Sequence, residues 1–353
     1  MTPREVVEKW IGEGAFPGAS FAYGSKDRVI QDHAGRFTYD PESRSVDAET
    51  IWDLASVTKV MATTPAVLAA VDEGPIGLDD PVWRWIPETK LTEATIRHLL
   101  RHESGLRAYD SGIAGKISVS QEARSRILSA NPATKVSEKC EYSCLGFVTL
   151  MAVVERATGM PFPEWVAVKV FAALGVSGAD YCPSPGLLPR IPPTGKTDAW
   201  RRKLAAERGQ EWSHGEFIRG TVHDPIAYAL GGVSGNAGLF STLSGVAEYA
   251  QSWLEGRSFV GRHRAEWTTK GSDLSSRALG WDTKSPTGSS AGTLFSLKSF
   301  GHTGYTGTCV WIDPEHEIWG VLLAHRVYPD ETNLKISQAR PEFFDAVFRV
   351  LRG

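Results

Sequence analysis

Ser56 and Lys59 stand three residues apart in the stretch "DLASVTKVMATTPAVLAAVDEG", residues 53–74. A serine hydroxyl is a weak nucleophile near neutral pH and needs a base within hydrogen-bond reach. In a helix, residues three apart share a face one turn from each other, so a lysine amine can reach the serine oxygen. At a helix N-terminus the backbone N–H groups and the dipole favour negative charge developing at that oxygen. Desolvation would lower the lysine pKa and leave a neutral amine able to accept a proton. The pair suits nucleophilic acyl transfer. It also fits an ordinary amphipathic helix with both groups solvated, and a Ser-x-x-Lys match arises by chance about once in a chain of this length.

Three other patterns carry less chemistry. "GSSAG", residues 288–292, fits Gly-x-Ser-x-Gly but lies in the Ser/Thr/Pro-rich patch "TKSPTGSSAG", without the strand and helix a nucleophile elbow requires. His98 and His102 are four apart in "ATIRHLLRHESG", a helical pattern, yet no Glu follows the first His and no third metal ligand is evident. "GGVSGNAG" is glycine-rich but lacks dinucleotide-binding spacing. No metal or cofactor is expected.

The elements that must position Ser56 and Lys59 follow from the pattern around them. "MTPREVVEKWIGEG" opens as a helix, with Val6, Val7 and Trp10 at helical spacing. Strand-forming runs on either side of "SKD" read as a hairpin. Residues 55–71 read as one helix, stopped by Gly74 and Pro75. From about 79 to about 241, short helical patterns alternate with Pro- and Gly-rich connectors. The tail returns to strands in "TGTCVWID" and "IWGVLLAHRV", with a turn at "PEHE", and "PEFFDAVFRVLRG" closes as an amphipathic helix. The expected fold is α+β: an antiparallel sheet flanked by helices, made by residues 1–75 and 242–353, with residues 76–241 as an inserted, mostly helical lobe.

Bulk composition is that of an ordinary globular protein, with 42% hydrophobic and 22% charged residues. A formal net charge of -3 gives no reason to expect nucleic acid or an acidic membrane as partner. The one basic cluster, Arg201-Arg202-Lys203, reads as a solvated helix face. No run is long enough to span a bilayer, and the first residues lack a signal-peptide pattern, so a cytoplasmic location is expected. Cys140, Cys144, Cys182 and Cys309 show no Cys-x-x-Cys spacing and read as free thiols.

The stretch "WDLASVTKVMATTPAVLAAVDEGPIGLDDPVWRWIP" resembles the serine-motif region of the class C β-lactamase, penicillin-binding protein and family VIII esterase superfamily. Two further pieces match in the same order. "EYSCLGF" resembles the Tyr-x-Asn element at Tyr142, Ser143 and Cys144, and "GHTGYTG" resembles the Lys-Thr-Gly element at His302, Thr303 and Gly304. The resemblance implies a β-lactamase/transpeptidase-like fold and an acyl-enzyme formed at Ser56. It implies that Lys59 and Tyr142 share the proton transfers. It also implies that the backbone N–H groups of Ser56 and of Tyr305, on the strand after the motif, hold the oxyanion. Losing one such donor costs about 3 kcal/mol in other enzymes.

Two positions depart from the superfamily's pattern. Cys144 stands where Asn is typical, and a thiol is a weak donor and acceptor. His302 stands where β-lactamases carry Lys, and a neutral imidazole holds a substrate carboxylate less firmly than an ammonium. Both changes argue against efficient β-lactam hydrolysis. The expected substrates are small esters, or amides of peptidoglycan-type peptides, ahead of β-lactams; the alternatives are a β-lactamase proper, a slow-turnover penicillin- or peptidoglycan-fragment-binding protein, or an acyltransferase on the same scaffold. The segment "VHDPIAYALGGVSGNAGLFST" looks closest to one branch of penicillin-binding-protein-like enzymes, with His223 and Asp224 expected in structural hydrogen bonds.

Overall fold

A computed structural model describes residues 1–113, 117, 119–209 and 215–353. Among the described residues, nine strands form two antiparallel sheets. The larger contains β1 (Gly18–Ser25), β2 (Val29–Gly35), β6 (Asp282–Thr283), β7 (Phe300–Thr303), β8 (Cys309–Asp313) and β9 (Ile318–Ala324) in the order β2-β1-β9-β8-β7-β6. The smaller contains β3 (Ile51–Asp53), β4 (Ala179–Tyr181) and β5 (Leu239–Thr242) in the order β3-β5-β4. The fold is therefore the mixed α and β, antiparallel one expected. The second sheet escaped the sequence reading because two of its strands have three residues each, too short to show alternation.

β1 and β2 form the hairpin expected around "SKD", closed by Ser25 N–H donating to Arg28 O at 2.8 Å. β1 and β9 pair from Ala19↔Ala324 to Ser25↔Ile318 and are buried on both faces. Such strands read as nearly unbroken apolar runs. Phe21 and Leu322 enter one core with the helices Pro3–Gly12 and Ile336–Arg352, where Val7, Phe343 and Phe344 are buried. Val321 and Leu323 point into the other core, with Trp253 of the helix Leu243–Glu255 and residues of the helices Thr64–Glu73 and Cys144–Thr158. The first helix carries its own start signal, a capping box between Thr2 and Glu5.

The segment expected as one helix over residues 55–71 is three pieces. Ala55–Thr58 make a turn, Lys59–Thr63 wind as a π-helix, and Thr64–Glu73 form the α-helix, ended by Gly74 at φ 94°. Pro65 explains the middle piece. It has no N–H to give Met61, and its ring would press on that carbonyl in a regular α-turn; wider winding removes the clash. The closing helix begins at Ile336, ahead of the "PEFF" start expected, with Pro341 inside it. Among the described residues, no helix is long and apolar enough to cross a membrane.

Candidate active site

β3 ends at Asp53, and the chain then turns sharply into Ser56. Ala55 is held at φ 46°, a left-handed conformation costly for a residue with a Cβ. The buried Asp53 carboxylate fixes this turn. It accepts from Ala55 N–H at 2.8 Å and from His223 N–H at 2.6 Å. Burial pushes the Asp53 carboxyl above its ordinary pKa, against the pull of those two N–H bonds.

The turn between β7 and β8 packs directly on this loop. Thr306 Oγ1 donates to Asp53 O and Thr308 Oγ1 to Leu54 O, each at 2.9 Å. Gly304 is obligatory at the contact. A Cβ there would stand 2.1 Å from Thr308 Oγ1 and 2.6 Å from Leu54 O. Tyr305 consequently lies in a tight turn, not on the expected strand, and Gly304 N–H donates to Thr308 O at 2.7 Å across it.

Lys59 is fully buried, and its Nζ makes three contacts. It lies 3.1 Å from Ser56 Oγ, 2.8 Å from Asn236 O and 3.6 Å from Cys144 Sγ. Three acceptors around one nitrogen suit an ammonium with its three protons. Burial works against that charge, but Cys144, Tyr142 and, after them, Asp224 outweigh it and hold the amine above its ordinary pKa. Desolvation alone would have lowered that pKa; the surrounding groups reverse the direction. The Cys144 thiol is pushed up by burial, partly offset by Lys59.

Tyr142 precedes the helix Cys144–Thr158, whose N-cap is Ser143, with Ser143 Oγ accepting from Gly146 N–H at 3.1 Å. The Tyr142 ring meets two cations, Lys59 Nζ at 4.9 Å and the Arg277 guanidinium at 5.1 Å from its centroid. His102 at 4.7 Å and His302 at 5.9 Å pack beside it. His102 does not share a helix face with His98. The helix ends at Leu100, and His102 sits at φ 61° with its Nδ1 accepting from Ser143 N–H at 2.9 Å.

His302 is buried, with Nδ1 2.8 Å from Thr303 O. Burial first, then Arg277 and Lys59, hold its imidazole well below the ordinary histidine range. It is therefore neutral, and it is absent from the cavity lining. Thr303 ends β7 beside it.

A cavity of about 390 Å³ opens over Ser56, with Tyr142, Cys144, Tyr305, Asp224 and Glu331 among its walls. Arg201 also lines it, so the basic cluster is not a solvated face throughout. Arg201 is buried and donates to Val222 O at 2.9 Å and to His223 O, satisfying carbonyls of the segment that leads to Asp224. His223 Nε2 lies 3.3 Å from Glu331 Oε1, and Tyr305 Oη donates to Glu331 Oε2 at 2.9 Å. These contacts, led by His223, bring the Glu331 carboxyl down to about 2. A larger cavity, about 700 Å³, contains none of the expected site residues.

The structure thus brings Ser56, Lys59, Tyr142, Cys144 and Tyr305 together, with Thr303 and Gly304 in the adjoining strand and turn and His302 behind. Asp53, Asn236, Thr306 and Thr308 were missed by sequence reasoning. Asn236 contributes a backbone carbonyl, which no residue type advertises, although its "GGVSGNAG" segment drew notice for its glycines.

An antiparallel mixed fold holding a serine–lysine pair beneath a β-turn is that of β-lactamase- and transpeptidase-like proteins. The chain belongs to the beta-lactamase family, whose model, described as Beta-lactamase, matches residues 4–341. A curated relative from Escherichia coli (strain K12), described as "Putative D-alanyl-D-alanine carboxypeptidase", is 30% identical over 329 residues, covering 84% of this chain and 73% of its own length. Simvastatin synthase from Aspergillus terreus has a similar structure, with TM-score 0.76 at 17% identity over 99% of this chain and 98% of its own. A class C beta lactamase from Rhodobacter sphaeroides matches with TM-score 0.74 at 17% identity, over 99% of each chain. At these identities the two structural likenesses speak for the fold alone.

Proposed function

We propose that the protein is a serine hydrolase that acylates Ser56 and then releases the acyl group to water, acting on small esters or on amide bonds of peptidoglycan-type peptides. The observation that carries this reading is the 3.1 Å contact between Ser56 Oγ and the fully buried Lys59 Nζ, beside a cavity that Tyr142 also lines. Once the Lys59–Tyr142 pair has given up one proton, Ser56 Oγ attacks the substrate carbonyl, its proton passes into that vacant place, and the pair then returns it to the leaving group. The N–H groups of Ser56 and Tyr305 take the oxyanion. This chemistry uses an amine and a phenol and calls on no metal. Residues 1–75 and 242–353 serve as one lobe and residues 76–241 as the other, with the cleft between them.

The curated relative's name supports amide bonds of D-alanyl peptides as one substrate class. Two features pull towards esters: the thiol of Cys144 where an asparagine would contact a substrate amide, and the neutral His302 where a cation would hold a carboxylate. The same two features favour one second reading, a site that traps penicillin-like ligands and turns them over slowly.

Intact-protein mass after exposure to a fluorophosphonate, a penicillin and a p-nitrophenyl ester separates these. A Ser56 adduct with the first and rapid turnover of the ester supports the hydrolase. A penicillin adduct lasting hours without ester turnover supports the trap. Absence of any adduct in the wild type, as in Ser56→Ala, would overturn both.

A further inference from the structure

We propose that Arg340 is a positioning residue for the oxyanion site: its guanidinium orients and polarises the Gly304–Tyr305 peptide unit, whose N–H is the second oxyanion donor. The inference rests on the reading above.

Arg340 lies on the helix Ile336–Arg352, far in sequence from Ser56, and reaches the β7–β8 turn from behind. Its Nη2 donates to Gly304 O at 2.7 Å and to Thr308 O at 2.9 Å. The carbonyl of Gly304 and the N–H of Tyr305 belong to one resonance-linked amide. A cationic donor on the oxygen draws electron density from the nitrogen, so the N–H at the other end becomes a stronger donor. The same contact fixes where that N–H points. The pull and the aim arrive together.

Two observations separate this from a simple staple between helix and sheet. Among the described residues Arg340 forms no ion pair with a carboxylate; the Cys309 thiol sits against its guanidinium, and its Nε is shielded from solvent without a hydrogen-bond partner. A half-buried cation without a counter-ion is costly, and here its charge is directed at peptide carbonyls of one turn. The second observation is the company it keeps. Arg326 Nε donates to Tyr305 O at 3.0 Å, and its Nη1 is tied to Glu331 O and Asn333 O, each at 2.8 Å. Both carbonyls that flank the Tyr305 N–H therefore accept from guanidinium groups, while Glu331 anchors the tyrosine side chain.

The test uses Arg340→Met and Arg340→Lys in the full chain, with active sites counted by fluorophosphonate labelling. Each is assayed for p-nitrophenyl ester turnover and for inhibition by phenylboronic acid, whose tetrahedral adduct on Ser56 presents an oxygen to the same donors. Weakening one oxyanion donor in Arg340→Met should lower kcat per labelled site by about tenfold to a hundredfold, with KM within about threefold. The boronate Ki should rise by a matching factor. Arg340→Lys, which still offers a charged donor, should recover part of both. If kcat per labelled site and boronate Ki stay within twofold of wild type, Arg340 is only a staple and the inference is overturned. Should Arg340→Met fail to fold, Arg340→Gln, which keeps a donor but not the charge, carries the comparison, and a wild-type boronate Ki there overturns it equally. A wild type that binds neither probe at Ser56 overturns the functional reading instead.

Discussion

Lys59 Nζ lies 3.6 Å from Cys144 Sγ, so one of the lysine's three proton donors ends on sulfur. Sulfur is a weak acceptor, whereas the amide oxygen of an asparagine would be a good one, and its NH2 could face a substrate carbonyl. Cys144→Asn should raise kcat/KM for amide and β-lactam bonds over that for esters by about three- to tenfold, the worth of roughly one hydrogen bond. Parallel assays of a p-nitrophenyl ester and a D-alanyl dipeptide check it. An equal change in both would reject the thiol as the cause of ester preference.

Asp53 holds the strained loop before Ser56 by accepting two N–H bonds. Asp53→Asn keeps the shape but turns an NH2 towards one of those donors. One buried N–H is then left unpaired, at a cost of about 1–3 kcal/mol. Chemical denaturation should show that loss, and ester turnover should fall at least tenfold as Ala55 relaxes from its left-handed conformation. Wild-type turnover in this variant would show that the carboxylate is not what positions the serine.

Gly304→Ala tests the contact between the two loops. The new Cβ would meet Thr308 Oγ1 and Leu54 O well inside contact distance, and both are held in place. Backbone must move, at about 1–3 kcal/mol for an overpacked site. The turn carrying Tyr305 would swing away from Ser56, so kcat should fall more than fluorophosphonate labelling does. A variant with unchanged kcat would mean that the turn tolerates the methyl and that its closeness to Leu54 is incidental.

Acid should weaken the fold steeply. His102, His302 and His325 are buried, and burial holds all three imidazoles below their ordinary range, His325 at about 3. On unfolding each returns to about 6.5. The unfolded chain thus binds more protons, and stability present above about pH 6.5 is lost as pH falls below it. Three such groups contribute a slope of at most about 4 kcal/mol per pH unit in that range, and His33 and His98, which burial also holds below their ordinary range, act in the same direction. Urea unfolding at pH 7.5 and 5 measures it. His325→Asn, whose NH2 can still donate to Pro193 O, should remove about a third of the slope. Equal stability at the two pH values would contradict the buried, neutral state assigned to these histidines together.

Much of this was legible in the sequence, for identifiable reasons. Strands such as β1 and β9 are apolar along their length, and the hairpin announces itself at Ser25–Asp27. Ser56, Lys59, Tyr142 and Tyr305 stood out because their motifs are short and ordered. What stayed hidden was set by shape. The π-turn at Lys59 depends on a proline downstream, and Arg201 is buried because it serves carbonyls at 222 and 223, a partnership that charge alone does not reveal. The proton position at Lys59 was not legible at all, because burial and the groups around Nζ pull its pKa in opposite directions and only the folded geometry sets their balance.

The pairing of β1 with β9 joins Ala19 to Ala324, so β1 waits for a partner made roughly three hundred residues later. At ribosomal speeds that interval is on the order of 15–60 s, during which the early hairpin has an open edge beside the exit tunnel. The nascent polypeptide should therefore be inert towards substrate until β9 has emerged to close that edge.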